Sequence, residues 1–125
     1  MNNNKQPTLG NGKICYLELP SRDIGESSSF YQAVFGWEIR TRGDGSTAFD
    51  DGVGEVSGAW RKDRKANPEI GLLVYIMVDD IEATMQKIIN LGATIVQPVG
   101  MDAPEITARF RDHSGNVLGL FQERG

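Results

Sequence analysis

Histidine and cysteine are nearly missing: the 125 residues hold one of each, His113 and Cys15. A lone cysteine excludes an internal disulfide and suits a reducing compartment, which points to the cytoplasm. A lone histidine makes every imidazole-based mechanism depend on His113. Long apolar runs are also lacking, since none approaches the ~20 residues of a membrane-spanning helix. Nothing resembles a signal peptide, and residues 1–12, rich in Asn, Gln and Gly, read as a flexible tail. Positive charge is scarce, with 13 Lys and Arg against 17 Asp and Glu, a net charge of −4 and a pI near 4.9. That balance supplies no field to attract phosphates and argues against nucleic acid as a partner. The one basic run, Arg61-Lys62-Asp63-Arg64-Lys65, is broken by an acid and reads as a solvated connector.

What is present is repetition. Gly54-Glu55-Val56-Ser57-Gly58-Ala59-Trp60 and Gly115-Asn116-Val117-Leu118-Gly119-Leu120-Phe121 share the grammar Gly-x-Val-x-Gly-aliphatic-aromatic. These stretches begin at residues 54 and 115, an offset of 61. Asp23-Ile24 and Asp80-Ile81, at an offset of 57, each open a helix-like run that ends in glycine, at Gly36 and Gly92. Two landmarks repeated in one order imply two copies of one supersecondary unit.

In chain order, residues 14–19 form a strand that places Cys15, Leu17 and Leu19 on one face and Ile14, Tyr16 and Glu18 on the other. Cys15 is then a packed, inert thiol on the helix side. Asp23 and Glu26 have capping-box spacing, Phe30 and Val34 supply an apolar face, and Gly36 suits the C-terminal turn of a helix over 23–35. Strands follow at 37–42, 46–50 and 55–61, with turns at Gly43-Asp44-Gly45 and Asp51-Gly52. Residues 62–69, including Asn67-Pro68, connect the units. The order then recurs: a strand at 72–78, a helix capped by Asp79 with Glu82 and closed by Gly92, with Ile81, Met85, Ile88, Ile89 and Leu91 on its apolar face, then strands at 94–96, 105–111 and 117–122. The fold class is α+β: two tandem βαβββ modules forming a cupped eight-stranded mixed sheet with the helices outside.

Asp23 to Trp37, read as D-x(6)-F-Y-x(3)-F-G-W, and Asp112 to Gln122, read as D-x-x-G-N-x-x-G-L-x-Q, resemble the vicinal oxygen chelate superfamily of glyoxalase I, bleomycin-resistance proteins and extradiol dioxygenases. The resemblance covers nearly the whole chain and implies a single glyoxalase-like domain over 13–125, with modules at about 13–66 and 67–125. Metal-using members carry ligands in the first and last strand of each unit. Those places fall here on Tyr16, Gly58, Leu73 and Gly119, which do not form the His/Glu set that a divalent metal prefers. The resemblance thus implies a member with no metal and no cofactor.

On the expected concave face, Glu18 stands beside Tyr16 among apolar neighbours, where it could act as a general base, meet a cationic ligand group, or pair with an arginine such as Arg109. Tyr75 is the repeat equivalent of Glu18, and Met77 follows on the same parity. Trp60 and Phe121 lie two residues beyond Gly58 and Gly119, and are expected on the inward face with them. The two glycines would leave room for a ligand. His113 lies in a turn and reads as an exposed turn residue.

These features favour a protein that binds a small, partly apolar organic molecule, cationic or aromatic, in a metal-independent aromatic cleft lined by Tyr16, Glu18, Gly58, Trp60, Leu73, Tyr75, Met77, Gly119 and Phe121. An isomerase, lyase or dioxygenase, metal-dependent or using Glu18 as base, is the alternative. A dimerising interaction module is the third. Family analogy and exposed sheet edges imply a homodimer.

Overall fold

The computed structural model describes residues 6–11, 14–66 and 72–124. The chain forms two compact units, residues 1–65 and 66–125. Among the described residues, the expected two helices and eight strands are all present, divided into two four-stranded mixed sheets.

The first unit runs β1 (Tyr16–Pro20), α1 (Ile24–Phe35), β2 (Glu38–Thr41), β3 (Thr47–Asp50) and β4 (Ser57–Arg61), with sheet order β1-β4-β3-β2. Asp23 caps α1 by accepting a hydrogen bond from the Glu26 amide at 3.0 Å. Gly36 ends it at φ 70°, a left-handed geometry that glycine adopts without Cβ strain. Ser27, Phe30, Tyr31 and Val34, spaced at i, i+3, i+4 and i+7, form the buried stripe. Tyr31 stacks on Trp37 at 4.6 Å, Trp37 on Phe49 at 4.5 Å, and Trp60 lies 4.7 Å from Phe49. Each such pair contributes roughly 0.5–1.5 kcal/mol beyond burial, so the core under α1 is aromatic.

The second unit repeats the wiring with β5 (Tyr75–Met77), α2 (Ile81–Asn90), β6 (Thr94–Gln97), β7 (Ile106–Arg111) and β8 (Val117–Gln122), in order β5-β8-β7-β6. Its core is mostly aliphatic: Ile81, Ile88, Leu118 and Leu120 are buried with Ala108 and Phe110. Asp80, not Asp79, is the N-cap, because its carboxylate reaches the Ala83 amide at 3.1 Å. Ile89 and Leu91 are exposed, since Ile89 is rotated about 100° off the stripe of Ile81, Met85 and Ile88 and Leu91 lies past the last turn. The strand expected over 72–78 shortens to three residues, with Leu72 outside it and exposed. Asn67 and Pro68 of the expected connector lie outside the described residues. Thr8, within the expected tail, donates through its amide and hydroxyl to the Glu55 carboxylate at 3.1 and 3.2 Å.

The two units differ at one turn. Between β3 and β4 the chain closes with the Asp51 amide on the Val56 carbonyl, whereas between β7 and β8 it closes with the Asp112 amide on the Asn116 carbonyl. The first turn is therefore one residue longer. Asp50 pairs with Ser57, and Arg111 with Val117, so equivalent residues are 61 apart before the turn and 60 apart after it. A one-residue change in strand register exchanges the two faces. Gly58 and Trp60 therefore correspond to Leu118 and Leu120, not to Gly119 and Phe121. The expectation that Gly58 and Trp60 share a face with Tyr16 is corrected. Leu17 pairs with Gly58 and Glu18 with Ala59, which puts Gly58 and Trp60 on the α1 side. Cys15 is exposed rather than packed, because β1 begins after it.

Neither glycine leaves a void. A Cβ on Gly58 would stand 2.2 Å from the Leu17 carbonyl oxygen and 2.4 Å from the Phe49 ring, and one on Gly119 would stand 2.5 Å from the Tyr75 ring. Phe49 is fully buried while Tyr75 is 44% exposed and able to swing aside. Gly58→Ala should therefore cost about 2 kcal/mol by overpacking, and Gly119→Ala less than about 1 kcal/mol. Urea unfolding of the two variants measures the difference, and equal losses would contradict these placements.

Candidate functional site

The face of the first sheet turned away from α1 carries Tyr16 and Glu18 of β1 beside Ser57, Ala59 and Arg61 of β4. A cavity of about 620 Å³ opens there. Its wall includes Tyr16, Glu18, Ala59 and Arg61, the hairpin segment Asp44 to Thr47 with Arg42, the start of α1 at Ile24 and Gly25, and Lys62 and Asp63 after β4. Trp60 also borders it, although the side chain is 3% exposed and packs on Phe49.

Charge in this wall is extensively paired. Glu18 forms an ion pair with Arg64 and lies 3.8 Å from Arg61, so its partners are these two rather than Arg109. Arg61 grips Asp63 at 3.1 and 2.7 Å. That bidentate bond raises the Arg61 pKa and lowers that of Asp63. Asp44 accepts from the Ser46 hydroxyl at 2.6 Å and its amide at 2.9 Å, and these bonds, helped by the Arg42 charge, hold its carboxyl below the ordinary range. Arg42 donates to the Tyr16 hydroxyl at 2.6 Å. On the same face, Arg40 holds Asp50 at 2.7 and 3.0 Å, and the Ser57 hydroxyl adds a bond at 2.7 Å.

Three of the sequence-derived candidates, Tyr16, Glu18 and Trp60, therefore border one cavity, while Gly58 lies on the opposite face beneath Phe49. In the second unit, Tyr75 pairs with Gly119 and Met77 with Phe121, and Gly119 faces Arg109 across the β7 pairing. Tyr75, Met77, Gly119, Phe121 and Arg109 thus share the face turned away from the α2 core, and Leu73 precedes β5 half-buried. His113 binds the Leu91 carbonyl through Nε2 at 2.7 Å, tying its turn to the end of α2. Arg42, Arg61 and Lys62 also line the cavity and were not expected there. Alternation from Glu18 through the Ala59 pairing would have found Arg61, had the longer turn been recognised.

The metal-ligand places of the resemblance fall on β1, β4 and β8 and just before β5. The register moves the β4 place from Gly58 to Ala59, and the others remain Tyr16, Leu73 and Gly119. Two of these side chains are aliphatic, one is absent and one is a phenol, so the set does not fit a divalent metal. Among the described residues no three His, Cys, Asp or Glu side chains are grouped to hold one.

The model of the Glyoxalase/Bleomycin resistance protein/Dioxygenase superfamily matches residues 13–120, and the chain belongs to that superfamily. A glyoxylase-like domain-containing protein of Didymella fabae is 26% identical, covering 91% of this chain and 96% of its own. The fold is shared with a fosfomycin resistance protein of Mesorhizobium loti, at TM-score 0.71, 14% identity and coverage of 93% and 95% of the two chains. It is shared too with a superfamily enzyme of Burkholderia phytofirmans, at TM-score 0.67, 22% identity and coverage of 86% and 95%. No helix among the described residues is long and apolar enough to cross a membrane.

The Asp50 ion pair gives a pH signature. Arg40 chiefly, and Ser57 next, lower the Asp50 pKa in the folded state. The resulting stabilisation is complete above the ordinary carboxyl value of about 4 and is lost as pH falls through the depressed folded value. Asp50→Asn should lower stability by about 1 kcal/mol at neutral pH. Denaturation curves across pH should show the two proteins converging at strong acid, and a gap that persists there would contradict the assignment.

Proposed function

We propose that this chain is a small-molecule-binding member of the superfamily that works without a metal ion, in a cytoplasmic setting and as a homodimer. The observation that carries the reading is the cavity of the first unit, which is large enough for a compact organic molecule and whose wall offers charged and aromatic groups but no metal-ligand set. Tyr16 gives it an exposed aromatic border, with Trp60 buried behind it. An enzyme using Glu18 as base is less well supported, because two guanidinium groups already engage that carboxylate. Pairing also removes the reason to expect a cationic ligand. A pure interaction module would leave the cavity without a role.

Protein purified without a metal-affinity tag should contain well under one equivalent of zinc, nickel, iron or manganese. A small-molecule screen with EDTA present should still raise the melting temperature, since a ligand at 100 times its Kd stabilises by about 2.7 kcal/mol. Stoichiometric, chelator-resistant metal would overturn the proposal, as would a screen in which every melting shift disappears with EDTA.

A further inference from the structure

We infer that the ligand of this cavity is a small organic oxyanion, an aromatic or aliphatic body bearing a carboxylate or phosphate, held by Arg42 and Tyr16. The inference rests on the proposed binding function and adds the chemical class. Each carboxylate at the wall is already partnered: Glu18 by Arg64 and Arg61, Asp63 by Arg61, and Asp44 by Ser46. Two of the cations make no ion pair among the described residues: Arg42 donates to the neutral Tyr16 phenol and acts on Asp44 only through its field, and Lys62 has no carboxylate partner there. With Arg64 included, four cations stand against three carboxylates around the cavity.

The uncharged groups point the same way. Tyr16 accepts from Arg42 at 2.6 Å, so its own O–H proton remains to be donated. Ile24 and Gly25, in the first turn of the twelve-residue helix α1, border the cavity, and their amides have no intrahelical acceptor. The unused capacity is donor capacity, which an oxyanion satisfies and a cation does not.

The probes are benzoate, phenyl phosphate, benzamide and benzamidine, followed by amide chemical shifts on titration of the full chain. Benzoate or phenyl phosphate should shift Tyr16, Arg42 and Ala59 saturably, and whichever binds tighter identifies the oxyanion. Benzamide should bind at least about tenfold more weakly, and Arg42→Met should weaken the anion by about tenfold while Arg42→Lys retains most of it. Tyr16→Phe should weaken it by a smaller factor, and added salt should weaken it throughout. If benzamide or benzamidine binds the same amides as tightly as the anions, or if Arg42→Met leaves the anion unaffected, the oxyanion class is overturned while the cavity remains a binding site. If probes shift only amides away from the cavity, the proposed function falls as well.

Discussion

An aspartate carboxylate that captures the backbone of its own turn sets which side chains this molecule shows to its surroundings. Asp51 accepts from the amides of Glu55 and Val56 at 2.7 and 3.1 Å. Asp112 accepts from Ser114 and Asn116 at 3.0 and 2.9 Å and takes the Asn116 side-chain amide as well. Each acid replaces lost ladder bonds in a tight reversal. Because the captured loop is one residue longer in the first unit, the strand that leaves it is turned over. Everything downstream on β4, including the burial of Trp60 and the outward aim of Arg61, follows from that length.

The cavity's electrostatics are a product of the same geometry. With Trp60 committed to the aromatic stack under α1, Ala59 and Arg61 take the outer face, and small Ala59 leaves space that Arg61 borders with charge. The polar segment after β4 then has a structural task. It returns Asp63 to Arg61 and Arg64 to Glu18, so a run of alternating charge becomes an ion-pair network on the solvated face. Arg42 stands outside this network, donating to Tyr16, while Asp44 on the same hairpin is bonded by Ser46.

Much of the fold was legible because local chemistry specifies it. Asp23 and Gly36 delimit α1, glycines mark the turns, and the repeated order of strand and helix signals appears in both units. What was not legible depended on relations that single residues do not encode. The matching glycines of 54–58 and 115–119 suggested equivalent strands, but the pairing of Gly58 with Leu17 and of Gly119 with Tyr75 shows that they serve opposite faces. Of the adjacent acids at 79 and 80, the capping-box spacing to Glu82 picked Asp79, whereas the Ala83 amide is held by Asp80. The partners of Glu18 come from a segment whose composition resembles any exposed connector, and only its path back across β1 distinguishes it.

The position of Cys15 has a practical consequence. It is the chain's only thiol, it is exposed, and its carbonyl accepts the Ser57 amide at 3.1 Å, so the backbone beneath it is anchored to β4. A spin label or fluorophore attached there would sit on a fixed base one residue from Tyr16, without any engineered cysteine. The natural sequence thus provides a single spectroscopic reporter at the edge of the cavity wall.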